Sequence, residues 1–254
     1  MRRIGPFAAM PLLLLAGHAQ EQPAGAAGPQ RSTGYAVYRR SPLTSKRNGI
    51  VGEIQLLQDS RLPTTPRNEI WGYLARREDD PASPFAKAPA RNAVLRIVDR
   101  GGRLVEEKQM ERPLAAMETA SLYGDDRITY LITVDFTAGM GSYNGPITSL
   151  VEVVGGKLQW VQALDKTTGK RGQISLMNSL KTVWKIADAP ADGAKDVLLV
   201  ACRPNWSSLA DENFYLIRVR YSFDGKSWVI SQREEKGFAE ADELGALLDR
   251  KPFP

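Results

Sequence analysis

One cysteine and one histidine among 254 residues exclude most of the common catalytic and metal-binding arrangements. Cys202 has no partner for an intramolecular disulfide, and its apolar neighbours Val197-Leu198-Leu199-Val200-Ala201 suit a buried, inert thiol. The histidine, His18, falls within residues 1–19, which read as a secretory signal peptide: Arg2 and Arg3, an apolar stretch from Ile4 to Ala16 with Leu12 to Leu15 in a row, then Gly17-His18-Ala19. Cleavage would leave a chain of about 235 residues with no imidazole. Such a chain can build neither a Ser-His-Asp or Cys-His arrangement nor a His-ligated zinc site.

Long apolar runs are also lacking. The leader's apolar stretch is about 13 residues, interrupted by Pro6 and Pro11, where a spanning helix needs about 20. Leu15-Ala16-Gly17 is the run that precedes the lipidated cysteine of bacterial lipoproteins, but His18 stands in the cysteine position, so no acyl anchor is expected. The expectation is a periplasmic or secreted protein without a transmembrane segment. Removing Arg2 and Arg3 leaves 32 basic against 29 acidic residues, a net charge of +3. These charges are interspersed, and without a concentrated basic face nucleic acid is not an expected partner. There is no P-loop, and no helix signal follows Gly139-Met140-Gly141-Ser142, which argues against a dinucleotide site.

What is present is a succession of strand patterns. Residues 20–33, rich in Ala, Gly, Pro and Gln, read as a disordered tether. In the β domain expected over 34–254, one order recurs: an apolar strand, a long loop, a strand, a tight glycine turn, another strand. The first unit, near 70–109, opens with Ile70 to Ala75, crosses the loop from Glu78 to Asn92, and turns at Gly101-Gly102 between Val94–Val98 and Arg103–Val105. The second, near 128–162, has Tyr130–Val134, the loop 137–146, Leu150–Val154, the turn Gly155-Gly156 and Lys157–Val161. The third, near 196–232, has Val197–Val200, the loop 204–213, Tyr215–Val219, the turn Asp224-Gly225 and Trp228–Ile230.

Gly-Gly and Asp-Gly supply the positive φ that two-residue hairpins need. A weaker unit, with Tyr35–Tyr38 and Val51–Leu57, precedes these, Ile174–Ile186 adds a strand pair or a strand and a turn, and Leu114–Tyr123 is ambiguous. Ala239–Leu248 predicts a short C-terminal helix packed on a sheet. The fold class expected is all-β: antiparallel β repeats forming a small propeller-like array or a curved sandwich. The unit spacing of about 55 to 70 residues exceeds the 40 to 50 of propeller blades.

Before the third unit stand Asp188-Ala189-Pro190-Ala191-Asp192-Gly193-Ala194-Lys195-Asp196 and then Val197–Val200. This segment resembles the calcium loop and following strand of FG-GAP/VCBS-type β-propeller repeats. The resemblance implies Ca²⁺ ligands at Asp188, Asp192 and Asp196, with Gly193 at the turn; Pro190 replaces one ligand of the pattern. Beyond possible Ca²⁺, no cofactor is expected.

The chemistry left is carboxylate-based, a Ser-Lys pair or hard-cation catalysis. Asp135, ending a strand, and Glu152 in the next are the candidate carboxylate pair, against simpler roles as a strand terminator and a solvated strand residue. The long loops carry Phe85, Tyr143 beside Asn144, and Trp206 beside Asn205. Aromatics with Asn and Ser on a rigid β scaffold suit glycans or a protein partner, and rings folded back over the core are the alternative. Trp71, Trp160, Trp184 and Trp228 lie in strand patterns and should pack. The leading expectation is an exported, non-catalytic binding module using Tyr143, Asn144, Asn205, Trp206 and Asp135. A carboxylate- or cation-dependent periplasmic hydrolase is the alternative, and a calcium-stabilised envelope protein a third.

Overall fold

The computed structural model describes residues 34–62, 80–137, 143–189, 193–204, 214–237 and 241–249. The leader, the tether, the Ile70–Ala75 segment with Trp71, the Gly139–Ser142 cluster, Asp192, Asn205 and Trp206 lie outside the described residues.

Local chemistry sets the hairpins. Gly155 and Gly156 hold φ of 59° and 74°, the pair of left-handed residues that closes a two-residue turn between strands of natural twist. They join β7 (Pro146–Val154) to β8 (Lys157–Trp160). The turn from β3 (Val94–Asp99) to β4 (Leu104–Gln109) is tied by the Asp99 carboxylate, which accepts the Gly101 and Arg103 N–H groups at 2.9 Å each. Asp224 likewise accepts from Lys226 and Ser227 between β14 (Phe214–Phe223) and β15 (Trp228–Gly237).

The remaining strands are β1 (Tyr35–Leu43), β2 (Gly52–Asp59), β5 (Ala115–Ala120), β6 (Thr129–Asp135), β9 (Gln162–Asp165), β10 (Arg171–Gln173), β11 (Ser175–Met177), β12 (Thr182–Asp188) and β13 (Lys195–Pro204). With helices α1 (Ser45–Asn48), α2 (Pro84–Lys87) and α3 (Ala241–Leu247), the protein is mostly β. The strands form three sheets and no closed barrel. The first sheet has the order β1-β2-β3-β4. The second has β11-β7-β6-β5, with β8 also on β7. The third has β10-β9-β15-β14-β13-β12. Each sheet thus contains a four-stranded antiparallel meander: β1–β4, β5–β8 and β12–β15. The strands expected as a separate leading unit, β1 and β2, belong to the same sheet as β3 and β4. Leu114–Tyr123 resolves as a strand, β5, and Ile174–Ile186 as two strands in different sheets. In the third sheet β9 runs parallel to β15, and the chain reaches it from β8 through Val161 alone.

The first two sheets pack face to face. Leu43, Ile54, Leu56, Leu95 and Ile97 from the first meet Ala115, Met117, Tyr130, Ile132, Val134, Val151 and Val153 from the second. Each fully buried large side chain of this kind contributes about 1.5–3 kcal/mol. Strand β6 is buried at every position, so its apolar run does not alternate, as a central strand covered on both faces requires. On the third sheet, Leu244 and Leu248 at the α3 end pack on Leu198, Val200, Cys202 and Leu216, and Cys202 is a buried free thiol. The C-terminal helix packs on a sheet as its pattern predicts.

Candidate functional site

The long connections of the three meanders leave from the same end of the sheets. In the first, Leu62 and Phe85 of the 60–93 connection pack on Leu114 and Ala116, beside the point where the Asp135 N–H donates to the Leu114 carbonyl at 3.0 Å. Asp135 ends β6, where the second connection begins. That connection returns at Gly145 and Pro146 against Asn178, whose N–H donates to the Pro146 carbonyl at 2.9 Å. A Cβ on Gly145 would stand 2.0 Å from the Asn178 carbonyl oxygen, so this close approach admits glycine alone. Three residues on, the Lys181 carbonyl accepts the Cys202 N–H at 2.8 Å, near the end of β13, where the third connection starts.

Asp59 and Asp135 hold equivalent positions, each the last residue of its meander's second strand. Asp59 is 3% exposed and accepts Arg61 Nε at 2.9 Å, Arg61 Nη2 at 2.7 Å, and the N–H groups of Arg61 and Arg91 at 3.1 and 3.0 Å. These bonds, the Arg61 side chain's first, hold the Asp59 carboxyl far below the usual carboxylate range. Arg61 also donates to the Ala88 and Pro89 carbonyls and lies 5.2 Å from the Phe85 ring centre. Phe85 is 5% exposed, a plug over the core edge. Asp135 accepts the Thr137 N–H at 3.0 Å and the Thr137 hydroxyl at 2.6 Å. Phe136, beside Asp135, is half-buried against the core with Arg112 5.7 Å from its ring centre, and Tyr143 is 43% exposed. The Asp59–Arg61 hub went unnoticed in the sequence, although an acid two residues before an arginine at a strand end is the signal that marks it.

Asp135 and Glu152 do not meet. The β6–β7 ladder sets Asp135 opposite Pro146, six residues from Glu152 along the strand, about 20 Å at 3.3 Å per residue. A glycosidase pair needs about 5–10 Å. Glu152 instead joins a cluster between the second and third sheets. Tyr123 donates its hydroxyl hydrogen to Glu152 and accepts from Trp228 Nε1 at 2.8 Å. Arg127 stacks 3.8 Å over the Tyr123 ring, while Phe223 meets it edge-on at 4.7 Å. Burial raises the Glu152 pKa, against the Tyr123 hydrogen bond and the Arg127 charge, and burial likewise raises that of Tyr123. Trp228 is buried, while Trp160 and Trp184 are half-buried in their strands.

Of the calcium-loop aspartates, Asp188 and Asp196 are strand residues, and Asp192 lies outside the described residues. Asp188 lies opposite Lys195 in the β12–β13 ladder and pairs with it. Asp196, next in sequence, faces the other side of the sheet, 3.6 Å from Arg220 Nε. Facing opposite sides, Asp188 and Asp196 cannot hold one ion together. Among the described residues no group of three or more His, Cys, Asp or Glu is placed to hold a metal. No helix among the described residues is long and apolar enough to cross a membrane.

No protein-family model, curated protein or solved structure matches this chain.

Proposed function

We propose that the protein is an exported, non-catalytic binding module that takes a protein or glycan partner on the end where its long connections emerge. The observation that carries this reading is the placement of the described ends of three long connections at one end of three successive sheets, with Tyr143 exposed there. Rigid sheets holding long loops at one end are the usual setting for recognition, and an exposed tyrosine supplies wide contact area at small entropic cost. Export is supported by Arg2 and Arg3 ahead of the apolar Ile4–Ala16 stretch and the small residues that follow.

The test is photocrosslinking in the producing cell. A benzophenone amino acid replaces Tyr143 in one strain and Val154 in another, since Val154 is 47% exposed at the opposite, tight-turn end. A discrete adduct from position 143 in the envelope or medium, and none from position 154, is expected. Trp206→Ala should weaken the same adduct. Equal labelling from both positions overturns the loop-end site, and mass spectrometry of the exported protein still beginning at Met1 overturns leader cleavage.

A further inference from the structure

Strands β1 and β5 are edge strands of two packed sheets, and between them runs an open groove of about 440 Å³ lined by Arg39, Arg40, Ser41, Met117, Glu118 and Thr119. The backbone phase of β5 follows from its hydrogen bonds. The Leu114 carbonyl accepts from Asp135, so Leu114, Ala116 and Glu118 turn their backbone groups towards β6. Ala115, Met117 and Thr119 therefore turn theirs outward. The outward Ala115 carbonyl is taken by the Gln58 side-chain amide at one end of the groove. The N–H and C=O groups of Met117 and Thr119 have no backbone partner among the described residues, and they face the groove.

The opposite wall is β1, whose ladder slips by a bulge between Val37 and Arg39. Past the bulge, Arg39 and Ser41 oppose Leu56 and Ile54, so both face the second sheet. Ser41 meets the Tyr130 hydroxyl at the floor. Arg39 is exposed and has no ion pair among the described residues. Arg40 lies 3.8 Å from Glu53, both solvent-exposed, a contact worth little. Glu118 is the one carboxylate of the lining, and alternation along β5 turns its side chain to the face opposite Met117 and Thr119.

Strand amides and a guanidinium that have no partner among the described residues are what strand addition uses: main-chain bonds give affinity, and a charged contact fixes register. We propose that this groove takes an extended acidic peptide, which adds as a strand to β5 while Arg39 holds one of its carboxylates. This ligand and this place are separate from the loop-end site.

The probe is a fluorescein-labelled peptide of alternating Thr and Glu with blocked ends, titrated by fluorescence anisotropy with the purified full chain. Saturable binding is expected, weakened about tenfold or more by Arg39→Glu, since an opposed like charge costs more than a lost contact. Thr119→Pro removes one outward N–H at an edge position where proline is tolerated, and it should abolish binding. If that variant fails to fold, Arg39→Glu, on an exposed side chain, decides alone. Tyr143→Ala should leave this binding unchanged, which keeps the outcome distinct from that of the loop end. No saturation below about 1 mM overturns the proposal. So does equal affinity for a matched peptide of alternating Thr and Lys, indifference to Arg39→Glu, or full displacement by an equimolar small dicarboxylate such as glutarate.

Discussion

Asp59 and Asp135 stand at the same place in two successive meanders, and the loops they begin have opposite fates. Asp59 finds Arg61 two residues on, and the guanidinium reaches across to Ala88 and Pro89, sewing the far side of its loop down over Phe85. Among the described residues, Asp135 finds Thr137 two residues on and accepts its N–H and its hydroxyl. Phe85 on the first connection is sealed, whereas on the second Phe136 packs against the core and Tyr143 is open to solvent. The residue at position i+2 thus differs in reach: Arg61 spans its connection to Ala88 and Pro89, while Thr137 bonds Asp135 itself.

The largest effect expected from breaking this comparison is at Phe85. Phe85→Ala removes a ring packed on Leu62, Leu114 and Ala116 and should cost about 3 kcal/mol or more in denaturant unfolding. Asp59→Ala comes next, at about 3 kcal/mol, because it leaves Arg61 and the Arg91 N–H facing an empty acceptor site. The pH dependence sharpens this. A carboxyl whose folded pKa is depressed contributes stability above its unfolded pKa, about 3.9, and loses it as pH falls through the folded value. The gap between wild type and Asp59→Ala should persist from neutral pH down to about pH 4 and close only in stronger acid. A gap that closed by neutral pH would remove Asp59 as the anchor.

Glu152 offers the contrasting sign. Its pKa is raised by burial, so its contribution is complete below the unfolded pKa near 4.3 and declines as pH rises through the folded value. Glu152→Gln keeps an acceptor for the Tyr123 hydroxyl without the charge. The variant should match or exceed wild type at neutral pH by less than about 1 kcal/mol, since Arg127 and solvent soften the penalty, and the difference should vanish below about pH 4. A variant markedly less stable at neutral pH would mean that the Arg127 attraction outweighs desolvation.

The parts legible in the sequence were those that local chemistry decides. Hairpins form at Gly101-Gly102, Gly155-Gly156 and Asp224-Gly225, though only Gly155-Gly156 is the two-residue turn expected, the others closing longer turns on one left-handed glycine each; β6, β7, β13 and β14 are read from apolar runs beside them. Pairings across distance were not legible. Nothing near Val94 announces β2 as its neighbour, because the partner lies across the 60–93 connection and any apolar strand would satisfy it. The parallel β9–β15 contact and the split of β11 and β12 between sheets are decided by packing alone. Asp188 and Asp196 stand in strands rather than the expected loop for a related reason: aspartates in a Gly-containing run read as a loop, yet the β12–β13 ladder extends to Lys195 and turns neighbouring residues to opposite faces. Glu152 was noticed, but its partners Tyr123 and Trp228 come from distant segments, the latter supplying the third sheet's side of the contact.

The smallest expected effect is the most discriminating. Tyr143→Ala should change stability by no more than about 0.5 kcal/mol, because a ring 43% exposed gives up little apolar burial when removed. Its hydroxyl pKa is raised first by partial burial and then by nearby Cys202. Paired with Phe85→Ala, this substitution compares how firmly the two rings are held. If both rings cost the same on removal, the second connection is a plug like the first, and the loop end loses its open tyrosine as a recognition surface.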